Sequence, residues 1–431
     1  MRLLSYSNLI LWQWLLPVLL VLTAIVCAVR TRGVPVRGFG RALREIVTKL
    51  LCKNETKQRR IFASALAATM GTGNLVGTAL ALMTGGAGAL FWMWVSALLG
   101  MILAYAENVL GLRFRRILPD GSVLGGAFGY LKYGLHSRFL PAFFGVCCFA
   151  ASLGMGDMVQ SSAIAQTARK FGISAPAAGL ITALLLLCVL SGGCERVGRA
   201  AAWLMPLLCG FYLAGCGVIL MRNIVLIPDA FLRVMTEAFG LRAVCGGVGA
   251  SAFLRSLTIG LRRGIFSHEA GLGSSGLLHM NAETDADTQG KWAAAEVFSD
   301  TVIFCTATAF VLLTAPDAPY LNAGDAAGWL LHAFSAGLGR GAGGFLGISM
   351  ILLAFATMIG WYSCGAACAR FLFGAAAETF FPALYVLAAF AGALGSPEWI
   401  WALCDCCNGM MALPNLYAML RLSGCICVKN R

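Results

Sequence analysis

Long apolar runs alternate with short polar connections along the chain. The runs lie near 9–29, 61–83, 88–112, 141–168, 176–193, 200–221, 245–278, 291–314, 342–374, 382–395 and 398–420. Most approach or exceed the roughly 20 residues that carry a helix across a hydrocarbon core. The pattern predicts an all-α integral membrane protein with about eleven transmembrane helices. One run is broken in an informative way. Residues 61–83 read IFASALAATMGTGNLVGTALALM, with Gly71-Thr72-Gly73-Asn74 near the middle. A spanning helix satisfies its own backbone groups, and irregular backbone persists at mid-depth only where it lines a protein cavity. The run is therefore expected to unwind at 71–74.

The polar connections assign the sides. Segment 30–60 carries Arg30, Arg32, Arg37, Arg41, Arg44, Lys49, Lys53, Lys57, Arg59 and Arg60 against Glu45 and Glu55. Such basic connections stay in the cytoplasm, which puts the N-terminus outside. Counting onward, 113–140 is inside, as are the stretch with Arg262, Arg263 and Lys291 and the tail with Arg421, Lys429 and Arg431. The loop 315–341 falls outside and holds Asp317 and Asp325 against Arg340. Short termini and the lack of glycosylation-rich loops suit a bacterial inner membrane, with a cytoplasmic C-terminus.

Composition agrees with this class. The chain is 59% hydrophobic and 12% charged, more apolar surface than a soluble domain hides. Its net charge of +13 sits in short loops between apolar runs, so it does not imply a nucleic-acid partner. The first apolar stretch lacks a strong basic flank and a small-residue cleavage site, and reads as a retained helix. The 17 cysteines are scattered, mostly within apolar runs, where they act as small hydrophobes. They form no secreted disulfide framework. The densest cluster, Cys404-Asp405-Cys406-Cys407, has no second ligand pair at a metal-binding spacing.

A second glycine cluster, Gly246-Gly247-Val248-Gly249, opens the later half. The spans then divide into two sets of five, 61–221 and 245–420, each led by a glycine break. An odd number per set inverts the second set relative to the first. This is the 5+5 inverted repeat of a LeuT-type transporter core. The expected organisation is an extra N-terminal helix and basic loop over 1–60, repeats over 61–222 and 223–421, and a tail over 422–431. Each glycine cluster alone also suits close helix packing. Two clusters at corresponding positions favour a binding site.

Three stretches carry a resemblance: MGTGNLVGTALALMTGGAGALFWMWVSALLGM, GLRRGIFSHEAGLGSSG and DCCNGMMALPNLYAML. With them the chain resembles the alanine or glycine:cation symporters, also called sodium:alanine symporters, from about residue 60 to 421. The resemblance implies sodium-coupled transport of alanine or glycine on a LeuT-type core with one extra N-terminal helix. It implies no cofactor beyond sodium as coupling ion, and a monomer in the lipid bilayer.

An amino-acid zwitterion needs a site with two poles. Free N–H groups at the start of a half-helix suit its carboxylate, and Gly71, Thr72, Gly73 and Asn74 can supply them, with Thr69 beside them. Carbonyls at Gly246 and Gly247 suit the ammonium. Gln160 can donate and accept at once. Its alternative is an interhelical hydrogen bond; the resemblance makes it a substrate contact. Thr357 and Trp361 share a helix face. The resemblance makes them an ion or amine ligand and a wall against larger side chains; packing alone would make Trp361 structural. By analogy with the fold, carbonyls of Ala67 and Met70 join Thr357 near Leu353 as the sodium site.

The chain departs from the family pattern in places. Ala356 stands where many members have a serine, which removes one hydroxyl ligand. Asp157 stands where the pattern has Asn, and an intramembrane carboxylate is a functional candidate by default. It can bind sodium, carry a proton or pair with a neighbouring polar group. His268 replaces an Asn. Arg262, Arg263, Glu269 and Asp300 are expected to form a cytoplasmic gating network, with Glu107 in a similar role.

Two transport readings remain open: sodium symport, and a proton-coupled or exchange mode motivated by Asp157 and Ala356. A membrane enzyme is disfavoured. The four histidines are scattered, and His268-Glu269 is not followed by the second His of a zinc-protease helix. No filter-like repeat supports a channel.

Overall fold

Apolar faces repeating every three to four residues govern the architecture from the first helix onward. The computed structural model describes residues 2–37, 57–239, 248–316, 325–395 and 398–426, with isolated positions between 39 and 48. The first helix, α1 (Tyr6–Thr31), exposes Ile10, Trp14, Val18, Leu22, Ile25 and Val29 along one face. Leu16, Leu20, Ala24 and Cys27 face inward. That outer stripe suits lipid rather than water.

The chain continues as α2 (Lys57–Thr69), α3 (Val76–Gly85), α4 (Ala89–Arg113), α5 (Phe139–Arg169), α6 (Ala175–Leu190) and α7 (Gly193–Arg222). Then follow α8 (Ile227–Ala238), α9 (Val248–His268), α10 (Ser274–Leu278) and α11 (Ala286–Leu313). The last are α12 (Ala326–Leu338), α13 (Ala342–Phe373), α14 (Ala377–Leu394) and α15 (Glu398–Arg421). Among the described residues, six helices are long and apolar enough to cross a membrane. They are α1, α4, α5, α7, α11 and the stretch Ala326–Phe373 that holds α12 and α13. The pair α2 and α3, bent by 59° at its break, makes a seventh span if counted as one.

Small residues set the interior packing. A Cβ on Gly360 of α13 would lie 2.4 Å from the Ala68 nitrogen, so only glycine lets α13 approach α2 here. Gly260 seats α9 on α4 in the same way, against the Ala89 carbonyl. Three of these helices widen locally into π-type turns, Leu11–Leu15 in α1, Gly154–Met158 in α5 and Phe298–Cys305 in α11. Such turns displace side chains from their helical register and recur at functional sites.

A short hairpin joins α4 to α5. Arg116–Ile117 pairs with Val123–Leu124 around Asp120-Gly121, where Gly121 has φ +78. Asp120 accepts from the Ser122 hydroxyl at 2.6 Å and pairs with Arg370 near the end of α13 at 2.6 Å.

Several expectations need correction. The run 245–278 is not one helix. It breaks between α9 and α10, where Glu269, Gly271 and Gly273 have φ of +50, +87 and +100. The expected second break at Gly246 and Gly247 lies outside the described residues; α9 is already helical from Val248. Arg262 and Arg263 sit within α9 rather than in a connecting loop. Both are half-buried, and the Asp405 carboxylate of α15 acts on them as an opposite charge. The expected loop 315–341 contains α12, whose first turn is capped by Asp325 accepting from the Gly328 N–H at 2.9 Å.

Candidate substrate and ion site

The break between α2 and α3 centres on an extended glycine. Gly71 has φ −126 and ψ −163, followed by a 3-10 turn at Thr72–Asn74. Asn74 locks this geometry. Its Oδ1 accepts the Gly71 N–H at 3.0 Å, and its Nδ2 donates to Asp300 Oδ1 at 2.5 Å and to Ser267 Oγ at 3.3 Å. Ser267 in turn donates to Asp300 Oδ2 at 2.5 Å, and Thr301 donates to the same oxygen at 2.9 Å. Both poles of the Asn74 amide are thus engaged. Among the described residues, the N–H groups of Thr72 and Gly73 have no backbone partner.

A cavity of about 190 Å³ opens against this break. It is smaller than the roughly 300–1,000 Å³ of pockets for drug-sized ligands, and it suits a solute of a few heavy atoms. Thr69, Gly71, Thr72, Gly73, Asn74, Gln160, Arg263, Glu269, Thr357 and Trp361 all line it. The fold thus gathers nearly the whole expected substrate set from α2, α5, α9 and α13. Gln160 Nε2 donates to the Met155 carbonyl at 3.2 Å, and its Oε1 lies 3.4 Å from the Thr72 hydroxyl. Glu269 enters from the second break, and its Oε2 has no hydrogen-bond partner. A further cavity of about 530 Å³ shares Thr72 and Val159 with the first and continues past Gln166 and Lys170.

The hydroxyl of Thr357 lies immediately behind Gly71. It is 3.0 Å from the Leu353 carbonyl and 3.3 Å from the Met70 carbonyl. A Cβ on Gly71 would meet it at 2.8 Å. The helical partner of the Ala67 carbonyl would be the Gly71 N–H, which is bonded to Asn74 instead. The broken end of α2 therefore presents carbonyl oxygens toward α13. Carbonyls with a hydroxyl form a neutral, hard-oxygen donor set. No cluster of three His, Cys, Asp or Glu with metal-binding geometry occurs among the described residues.

The expected polar network is arranged differently. Asp300 is buried against Asn74, Ser267 and Thr301, not against Arg262 or Arg263. A hydrogen-bonded serine–asparagine shell holds it because it belongs to the brace of the break. His268 packs on Gly100 and meets Ser96 Oγ at 3.1 Å. Glu107 accepts the Gly276 N–H at 2.7 Å and the Asn415 amide at 3.2 Å, which ties α10 to α4 and α15. Asp157 lies on the π-type turn of α5 and is not among the residues that line the cavity. Sequence reasoning missed Ala68, Gly77, Met93, Met155, Val159, Phe266 and Ser267 as lining residues. Only Phe266 and Ser267 had a signal, since they immediately precede the second break.

Comparison with known proteins follows the same lines. The profile of the sodium:alanine symporter family matches residues 1–430. A sodium/alanine symporter of Methanococcus maripaludis is 34% identical over 97% of this chain and 94% of its own length. A probable sodium/glutamine symporter of Bacillus subtilis is 31% identical over 97% of this chain and 87% of its own. A putative sodium/proton-dependent alanine carrier of the same organism is 29% identical over 96% of this chain and 89% of its own.

Proposed function

Since the chain belongs to the sodium:alanine symporter family, a family of membrane transporters and not of enzymes, we propose that it imports small neutral amino acids, alanine or glycine, together with sodium. One observation carries the proposal: the Thr357 hydroxyl meets the Met70 carbonyl at the broken end of α2, directly behind the cavity lined by Gly71.

Sodium takes the carbonyls of Ala67, Met70 and Leu353 with the Thr357 hydroxyl. It draws α13 onto the end of α2 and sets the shape of the break. The substrate carboxylate takes the N–H groups of Thr72 and Gly73, aided by the dipole of the half-helix behind them. Gln160 holds its flank. The Glu269 carboxylate serves as partner of the ammonium, because the residue lines the cavity and one of its oxygens has no hydrogen-bond partner. Trp361 closes the wall where a longer side chain would project. Binding of both solutes favours one closed state, and the broken helices then rock against the scaffold. The molecule acts as a LeuT-type 5+5 monomer with about eleven spans and one extra N-terminal helix. It sits in a bacterial inner membrane with its N-terminus outside.

The test is uptake of radiolabelled alanine into proteoliposomes under an inward sodium gradient. Accumulation that collapses when potassium replaces sodium supports the proposal. Uptake indifferent to the cation would remove sodium from it, and no uptake of alanine or glycine would remove the substrate.

A further inference from the structure

We propose that Asp157 is a proton-binding site separate from the Thr357 ion site, loaded and unloaded once in each transport cycle. Asp157 is fully buried, and neither carboxylate oxygen has a hydrogen-bond partner. One turn further along α5, the Ser161 hydroxyl is also fully buried and unpartnered. Two adjacent orphaned polar groups on one helix face are costly unless something satisfies them. Among the described residues, no lysine, arginine or histidine pairs with Asp157.

The surroundings identify what satisfies it. The π-type turn packs on α13, α14, α15 and the first half of α5. Those helices bring phenols and thiols: Tyr385 is near Asp157, Tyr362 and Cys364 are beside Tyr385, and Cys404 packs against Gly154. The Tyr385 hydroxyl is already given to the Met358 carbonyl at 2.8 Å. Asp405, next to Cys404, faces Arg262 and Arg263 instead. Gly156 abuts Trp361, and Gly392 abuts Met158. Hard metal cations gather several oxygens, and Ser161 alone is a poor set beside the carbonyls at Thr357. A carboxylate in such a place is neutralised by a proton.

The position couples this proton to transport. Met155 of the same turn, and Val159 and Gln160 just after it, line the substrate cavity, while Asp157 is not among the lining residues. A neutral Asp157 lets α14 close on the turn. A charged one requires water in that seam and favours a different arrangement of α5. On one side of the membrane the carboxylate takes a proton from water, forming an O–H bond. On the other side that bond breaks and the proton returns to water. The site charge alternates between −1 and 0, and nothing is oxidised or reduced. The proposal rests on the transport reading above, but the loading of the site can be read without it.

Two measurements on the full chain test it. The first is the infrared spectrum of purified protein near neutral pH. A carboxylic C=O stretch present in the native protein and missing from Asp157→Asn supports a protonated Asp157. Identical spectra would overturn it. The second uses proteoliposomes with an internal pH dye, alongside labelled sodium and alanine. The native protein is expected to show an alanine-dependent internal pH change, and a several-fold variation of uptake between about pH 5.5 and 8.5. Asp157→Glu should keep both with a displaced profile; Asp157→Asn should show neither. Sodium and alanine entering with no pH change would overturn the proton cycle. Absence of alanine entry would instead overturn the transport reading, and the infrared band would still decide whether Asp157 holds a proton.

Discussion

Asn74 donates to Asp300 across 2.5 Å, although 226 positions separate the two residues. The bond joins the break between α2 and α3 to the π-type turn of α11. The same amide accepts the Gly71 N–H. One side chain thus fixes the extended conformation of Gly71 and anchors it to a second irregular segment. Beside Gly71, the Thr72 and Gly73 N–H groups have no backbone partner among the described residues.

Replacing Asn74 with alanine should therefore damage both stability and transport. Asp300 keeps Ser267 and Thr301 but loses a buried partner, at a cost of about 1–3 kcal/mol. The Gly71 N–H loses its acceptor as well. A lower thermal midpoint in detergent, with substrate affinity reduced more than tenfold, is the expected outcome. Unchanged alanine affinity would mean that the break holds its shape without Asn74.

Thr357→Ala should act on sodium first. The hydroxyl contacts the Met70 and Leu353 carbonyls, and Ala356 offers no second hydroxyl beside it. Apparent sodium affinity should fall about tenfold or more, equivalent to about 1.4 kcal/mol. Thr357→Ser should restore most of it. Sodium titrations of alanine uptake check both. Equal sodium dependence in all three proteins would place the ion elsewhere.

The break at 71–74 was legible in the sequence because glycines and an asparagine interrupt an apolar run where a helix must satisfy itself. The lining role of Gln160, Thr357 and Trp361 also came through, largely by resemblance. The break between α9 and α10 did not; the break expected at Gly246 and Gly247 lies outside the described residues. The observed break uses Glu269, Gly271 and Gly273, whose spacing reads as ordinary loop-and-helix sequence until the backbone angles are seen. The partners of Asp300 were not legible either: the sequence groups it with Arg262, Arg263 and Glu269 without showing which of them meet. In the fold, an amide and two hydroxyls reach it first. Contacts between residues hundreds of positions apart carry no local signature.

The hairpin carboxylate Asp120 gives a control for pH effects. The Ser122 hydroxyl, then the Ser122 N–H and Arg370, pull its carboxyl down to about 2. Its folded value lies below the unfolded value of about 3.9. Whatever this contact contributes is therefore present above about pH 4 and is lost as pH falls through about 2. It is constant across the neutral range. Asp120→Asn should leave the pH profile of uptake between about pH 5.5 and 8.5 superimposable on that of the native protein. A flattened profile would assign the neutral-range pH dependence to the hairpin and not to the membrane interior.

Substrate size should respond to Gly156 and Trp361 together. Trp361 is 1% exposed, and a Cβ on Gly156 would lie 2.4 Å from its Cβ. The indole also lines the substrate cavity, so a methyl group behind it must push the ring forward. Gly156→Ala should therefore reduce alanine uptake more than glycine uptake, because the lost volume lies where the substrate methyl projects. Trp361→Ala should do the reverse and admit longer neutral side chains such as glutamine. It also removes a large buried side chain, with a stability loss of about 3–5 kcal/mol, so Trp361→Leu provides a milder second variant. Competition of unlabelled amino acids against labelled glycine measures the selectivity of each. Selectivity unchanged in all three variants would mean that Trp361 packs the scaffold without bounding the substrate.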